Sequence, residues 1–516
     1  MKQSKLMITQ PLYTIMLVLF VLFVIVPIAF TFLSVFFTDN SFMNNFHLVD
    51  IKLIILLAES ISLAMVIGLF STIFGAVLGF IIYKTKIYYA SIFKILLLIP
   101  LFISPYILAV AWKDSFFIIS NNSGVVSSYF GVILVLTSIY TPFSMLIVGS
   151  AFINISSDIE ESALLITNTP RMIFKIVLPL IKPAIISSFI LVFIFSISEF
   201  SVPAFMGVKV FTTEIFTQFS AFYNHSLAIL QSLFLIIVCF LLLYSERKYI
   251  SNAPFISVSD KGNYSKKYKS KFGLVVVLLW FVLTVLLPFA TLVYQSFKDG
   301  VEAVLKAFEL LLPTFLNSIL LSLISAIIIV FIGFVISYNT RKMQNSVAVK
   351  LLLFAFTIPS IILGISLIKF YNQPIFNVIY SSYAIILIGF IAKFTFIATK
   401  LIDNSIKQIP ESLIETVQIM GVKQFSIIVK IVIPLIISTL FVTFIIIFIF
   451  SFGELGTTIM LYPPGTEILP IKVFTIMANV SQSLTSAMSF IVFAVTLLII
   501  SILYLIFKIS FNDRTK

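Results

Sequence analysis

The chain has 516 residues, of which 60% are hydrophobic and 10% charged, whereas a soluble globular domain carries about 25% charged residues. That composition excludes a water-soluble enzyme or binding domain and defines a polytopic membrane protein. The net charge of +13 has no folded polar domain to carry it, so it points to anionic lipid headgroups and membrane orientation rather than to nucleic acid.

Taken in order, the apolar runs begin at residues 14–37, longer than the ~20 residues that cross a bilayer. This first run is too long for a signal-peptide core and no small-residue cleavage site follows it, so it is kept as a helix. Twelve spans are predicted: 11–37, 56–83, 95–113, 129–152, 183–206, 226–245, 272–297, 316–338, 351–371, 382–402, 437–460 and 485–508. With a cytoplasmic N-terminus, the cytoplasmic segments hold 25 of the 33 Lys and Arg residues, the opposite loops six, and Lys369 and Lys393 lie in or beside spans. This asymmetry places both termini inside. Cys239 is the single cysteine, which excludes disulfides and thiol pairs within the chain. His47 and His225 are expected in solvated external loops.

Between spans four and five lies "SDIEESALLITNTPRMIFKIVLP", and between spans ten and eleven "ESLIETVQIMGVKQFSIIVKIVIP". A shift of 255 residues places Ser157 on Ser412, Glu160 on Glu415, Lys175 on Lys430 and Pro179 on Pro434. The same shift sets Glu199 on Glu454, within "FSISEF" and "FSFGEL". The chain is therefore a duplicated six-span unit. The first repeat covers 1–245 with its loop at 153–182, the second 272–516 with its loop at 403–436, and 246–271 is a polar cytoplasmic linker. Both units start on the same side, so the repeats are parallel.

Each loop offers Ser-x-x-Glu, the pattern of a capping box, although Pro410 competes for the first turn of the second copy. Leu413, Val417 and Met420 share one helical stripe. Gly421 suits the left-handed residue that ends a helix. The expected product is a short cytoplasmic helix in each repeat, turning into a helix that re-enters the membrane.

Glu415, five residues, Gly421, twelve residues, then Pro434 resembles the "EAA" loop in permease subunits of ATP-binding-cassette importers. The first copy has Glu160-Glu161-Ser162 and lacks the glycine, with Ile166 in its place, so its turn is expected to be built differently. The resemblance implies a type I, MetI-like, all-α permease fold. It implies coupling loops, carrying Ser157, Glu160, Glu161, Ser412, Glu415 and Gly421, that dock a cytoplasmic ATP-binding dimer. It also implies an external solute-binding protein. Two fused units are similar to ferric-iron permeases, and also to thiamine and aminoalkylphosphonate permeases.

No phosphate loop is present, and the dipeptide Gly-Lys does not occur; ATP hydrolysis is expected on a separate subunit, with no cofactor in this chain. Glu199 lies 16 residues beyond Pro183, ~24 Å along a span, so it and Glu454 are expected near the outer end. Together with Lys393 they are candidates for the pathway or an outer gate; a wet helix-end carboxylate is the plainer reading. Pro100, Pro105 and Pro359 interrupt the third spans and can bend them. The rival class is a secondary transporter of the major-facilitator type, whose two six-helix halves are also parallel. Against it, "KTKIYYASIFK" after span two lacks that family's Gly/Asp/Arg pattern. A reporter active only outside the cytoplasm, fused after Lys516, is expected to be silent; strong activity there reverses the orientation.

Overall fold

The computed structural model describes residues 9–37, 50–121, 124–250, 268–269, 272–341 and 346–512. His47 and most of the linker lie outside the described residues. Hydrocarbon supplies no water to a backbone, so apolar runs of this length satisfy their own N–H and C=O groups as helices. In the first half these are α1 (Gln10–Ser34), α2 (Ile51–Lys84), α3 (Ala90–Phe102), α4 (Pro105–Ser120), α5 (Tyr129–Ile153), α6 (Ser157–Leu164), α7 (Thr169–Ser198), α8 (Ser201–Met206), α9 (Phe211–Ser220) and α10 (His225–Ile250). The second half adds α11 (Gly273–Ser296), α12 (Val301–Thr340), α13 (Val347–Thr357), α14 (Ser360–Tyr371), α15 (Ala384–Lys407), α16 (Glu411–Ile419), α17 (Gln424–Gly453), α18 (Thr458–Leu461), α19 (Leu469–Ile476) and α20 (Gln482–Asn512). Two-residue strands β1 (Thr85–Lys86) and β2 (Tyr268–Lys269) pair in parallel, Thr85 opposite Tyr268.

Ten helices among the described residues can each cross a membrane; α3 with α4 and α13 with α14 form two further spans, bent by 100° and 103°. These breaks fall at Pro105 and Pro359, among the prolines expected to bend the third span of each repeat. Ile103 and Ser104 ahead of Pro105, and Ile358 ahead of Pro359, are held extended with ψ of 144°, 134° and 123°. The proline ring disfavours the helical region for the residue before it. Spans five and eleven also stop earlier than expected, at Ser198 and Gly453. Glu199 and Glu454 take extended backbone there.

Other prolines are absorbed without a break. Wide π-type turns at Val21–Ile25, Ile173–Val177, Val282–Leu286 and Ile428–Val432 each end two residues before a proline: Pro27, Pro179, Pro288 and Pro434. A proline lacks the N–H that the carbonyl four residues back requires and its ring presses on that carbonyl. A widened turn, such as the bond from the Val26 N–H to the Val21 carbonyl, gives that carbonyl room. At Pro27 the displaced carbonyl is that of Phe23, and it accepts from the Tyr371 hydroxyl at 3.0 Å.

The described residues fall into two compact units. One draws on 1–39, 313–472 and 494–516, the other on 40–312 and 473–493. This partition by packing differs from the partition into sequence repeats. In the first unit α1 packs on α14: the Thr31 hydroxyl reaches the Ser366 carbonyl at 3.2 Å and the Phe30 and Phe370 rings meet at 5.4 Å. In the second, α11 packs on α4 and α2, with Ser115 and Thr291 hydroxyls 2.6 Å apart and Phe74 against Trp280. The first span of each repeat thus packs with helices of the other repeat.

Within the second unit α2 and α5 lie backbone to backbone. Gly75 and Gly79, in a small-xxx-small pattern that suits helix contact in lipid, face Ser144 and Gly149; a Cβ on Gly75 would come within 2.3 Å of the Ser144 Cβ and 2.8 Å of the Met145 nitrogen. Gly75→Val is expected to destabilise the protein by about 3 kcal/mol, the upper end for overpacking, because backbone cannot yield. Val77→Ala, at a 45% exposed side chain, is expected to be nearly silent. Thermal unfolding of both variants in detergent checks this.

Candidate functional site

The first polar loop is built on α6. Ser156 caps it, its hydroxyl accepting from the Asp158 N–H at 3.1 Å. The expected box between Ser157 and Glu160 does not form, because Ser157 is already the first helical residue. Glu160 turns inward instead. Its Oε1 lies 2.6 Å from the Lys84 Nζ at the end of α2, and its Oε2 accepts from the Tyr268 hydroxyl of β2 at 3.2 Å. Lys84 and Glu160 are fully enclosed, at 0% and 1% exposure. An ion pair taken out of water is tolerated only where the remaining lone pairs are also satisfied, and Tyr268 does this for the second oxygen. Burial, then the Glu160 carboxylate, pushes the Tyr268 phenol well above its ordinary range, so it remains a protonated donor. Glu161 stays exposed.

The turn after α6 contains no left-handed residue; Leu165 has φ −68°. The Thr167 N–H returns to the Ala163 carbonyl at 3.0 Å, and the Asn168 side chain caps the start of α7 through the Arg171 N–H. The expectation of a differently built turn holds. Its tip presents Leu165 and Ile166 at 88% and 90% exposure.

The second loop is built on α16 and is held by other means. Pro410, with φ −57°, starts the helix at Glu411, so Ser412 lies inside it and cannot act as a cap; no Ser412–Glu415 box forms. Glu415 is exposed. Gly421 has φ +76°, the left-handed residue the sequence pointed to. Anchorage comes from Ile414, buried beside Ile409, Ile427 and Val432, with Val417 packed on the same cluster. This corrects the expected stripe: Leu413 and Met420 face outward, at 39% and 75% exposure, because the cluster beneath the helix selects Ile414.

The intramembrane charges separate in the same asymmetric way. The Lys393 Nζ on α15 lies 2.8 Å from both oxygens of Glu454 and also donates to the Ser360 hydroxyl at the break before α14. The Thr457 N–H binds Glu454 at 2.9 Å. Lys393 stands nine residues into α15, ~14 Å along it, and the pair is 17% and 11% exposed. Glu454 is therefore an enclosed ion-pair partner and not the wet helix end of the plainer reading. Glu199 instead accepts from the Ser201 N–H and hydroxyl. The position equivalent to Lys393 is Ser138 (393 − 255), which bonds the Leu134 carbonyl.

Lys84, Tyr268, Ser360 and the buried Asp114, which accepts from Gln482 and Ser486 at 2.7 and 2.6 Å, were not singled out from sequence. Lys84 looks there like an ordinary basic residue at a span end, and Tyr268 lies in a segment without apolar pattern.

A duplicated multi-pass helical protein, with a broken third span and a short exposed loop helix in each repeat, defines a membrane permease architecture. The chain belongs to the family of binding-protein-dependent transport system inner membrane components, whose sequence profile matches residues 71–251 and 329–515. Membership sets aside the major-facilitator alternative. The chain is similar to a putative ferric transport system permease protein, FbpB 1, of Haemophilus influenzae, 25% identical over 73% of this chain and 66% of that protein. It is also similar to the ferric transport system permease protein FbpB of Actinobacillus pleuropneumoniae, 24% identical over 72% and 60%. A second Haemophilus influenzae protein, Fe(3+)-transport system permease protein FbpB 2, is 22% identical over 81% and 83%. The chain thus spans less than two thirds of the length of the first two relatives.

Lys393→Met strands the enclosed Glu454 carboxylate and is expected to cost about 3 kcal/mol, the low end for breaking a buried pair since some exposure remains. Lys393→Met with Glu454→Gln is expected to cost less than Lys393→Met alone. Unfolding of single and double variants in detergent reads the difference.

Proposed function

We propose that the chain is the membrane permease subunit of an ATP-driven importer of ferric iron, with hydrolysis on a separate cytoplasmic ATP-binding dimer and solute delivered by an external binding protein. The observation that carries this reading is the pair of loop tips. Leu165 in the first repeat and Met420 in the second, 255 residues apart (420 − 165), are 88% and 75% exposed, beside Ile166 and Ile419 at 90% and 87%. Large apolar side chains exposed at the ends of short polar helices are what a protein interaction site offers, and here one such tip recurs in each repeat. Family membership supports an importer, and the names of the relatives support ferric iron over thiamine or an aminoalkylphosphonate.

In this reading the loops face the cytoplasm of a cell whose inner membrane holds the chain, with both termini on that side. Closure of the ATPase dimer pushes α6 and α16, which carry Ser157, Glu160, Glu161, Ser412, Glu415 and Gly421. The push travels into α7 and α17 through the wide turns ahead of Pro179 and Pro434. Glu199 and the Lys393–Glu454 pair belong to the outer part of the pathway. The ion pair neutralises a carboxylate that would otherwise face solute as a bare charge.

Uptake of labelled ferric iron by cells with and without the chain tests the assignment; equal uptake overturns it. Gly421→Val puts a β-branched residue at φ +76°, a conformation it strongly disfavours. The variant is expected to lower uptake several-fold with the solute preference unchanged. Ile166→Val, at the equivalent position of the first loop, is expected to transport like the parent.

A further inference from the structure

The two loops have matching sequences and unlike anchors. In the second, a left-handed glycine and a buried aliphatic cluster hold α16. In the first the glycine is missing, and the carboxylate that is exposed in the second loop is buried as Glu160. We propose that Tyr268 is a positioning residue for the first loop: through its hydroxyl on Glu160 and the pairing of β2 with β1, the segment joining the two repeats fixes α6 at the angle at which it meets the ATPase. This rests on the importer reading of the loops.

Three observations converge on it. Lys84 satisfies one oxygen of Glu160 and Tyr268 the other, so the enclosed carboxylate depends on a residue of the joining segment. Thr85, beside Lys84, is the backbone partner of Tyr268, so strand pairing and side-chain bond act on one point. Tyr268 stands five residues before Gly273, where α11 begins, and α11 is itself fixed at the same end of α2, Val277 packing with Leu78, Ile81 and Ile82. The segment is therefore held at the contact and again just downstream of it, at α11.

The test uses the full chain with Tyr268→Phe, which keeps the ring and the strand pairing and removes only the hydroxyl. Hydrogen exchange in α6 is expected to rise about tenfold, the effect of losing one hydrogen bond to a charged group. Exchange in α16 and the melting temperature are expected to stay as in the parent. Iron moved per ATP hydrolysed, in vesicles holding the complex with its ATPase, is expected to fall several-fold. Unchanged exchange in α6, exchange rising throughout the protein, or an unchanged transport ratio each overturn the proposal. Failure of the parent itself to carry iron overturns the importer reading instead, and the exchange comparison still decides whether Tyr268 holds α6.

Discussion

A peptide group in hydrocarbon must find its hydrogen-bond partner within the protein, since leaving it bare costs several kcal/mol. Much of the local geometry follows from how this chain meets that demand at its prolines. At Pro27, Pro179, Pro288 and Pro434 the helix widens for one turn and continues. At Pro105 and Pro359 it breaks by about a right angle. At Pro27 the Tyr371 hydroxyl serves the carbonyl that the ring displaces, whereas at the breaks a new helix starts with proline or serine in its first turn, where unpaired N–H groups are normal.

The same constraint makes buried charge a matter of complete satisfaction. Lys84–Glu160 is closed off by Tyr268, and Lys393–Glu454 by Ser360 and the Thr457 N–H. Each arrangement belongs to one repeat. The two related loops have different supports: aliphatic burial and a left-handed glycine under α16, an ion pair and a joining strand under α6. Aliphatic burial is nondirectional and tolerates sliding, while a buried ion pair tolerates little displacement. The two loops therefore rest on mounts of different stiffness.

The exchange of first spans ties these features together. Because α11 packs with α2 and α4, the chain ahead of it is brought to the end of α2, where β2 finds β1 and Tyr268 finds Glu160. Linker and loop thus meet across 108 residues of chain, through the path of a helix that starts only at Gly273. No local pattern in 246–271 foretells this.

Much was legible in the sequence because it depends on local chemistry. Apolar run length gives the spans, basic residues give an expected orientation, a constant 255-residue offset gives the duplication, and Gly421 gives its own backbone geometry. Proline positions mark where spans deform, yet not whether they widen or break. The stripe expected at 413–420 differs from the observed one because periodicity names several faces, and the aliphatic cluster beneath chose Ile414. Tertiary structure alone decided that Glu160 is buried and Glu415 exposed, and that Glu454 has an ammonium partner. It also decided that a tyrosine in a polar linker completes an ion pair. The physical reason is common to all of these. The state of an ionisable side chain is set by the charges and dielectric around it, and those are supplied by residues brought close by the fold from distant parts of the chain.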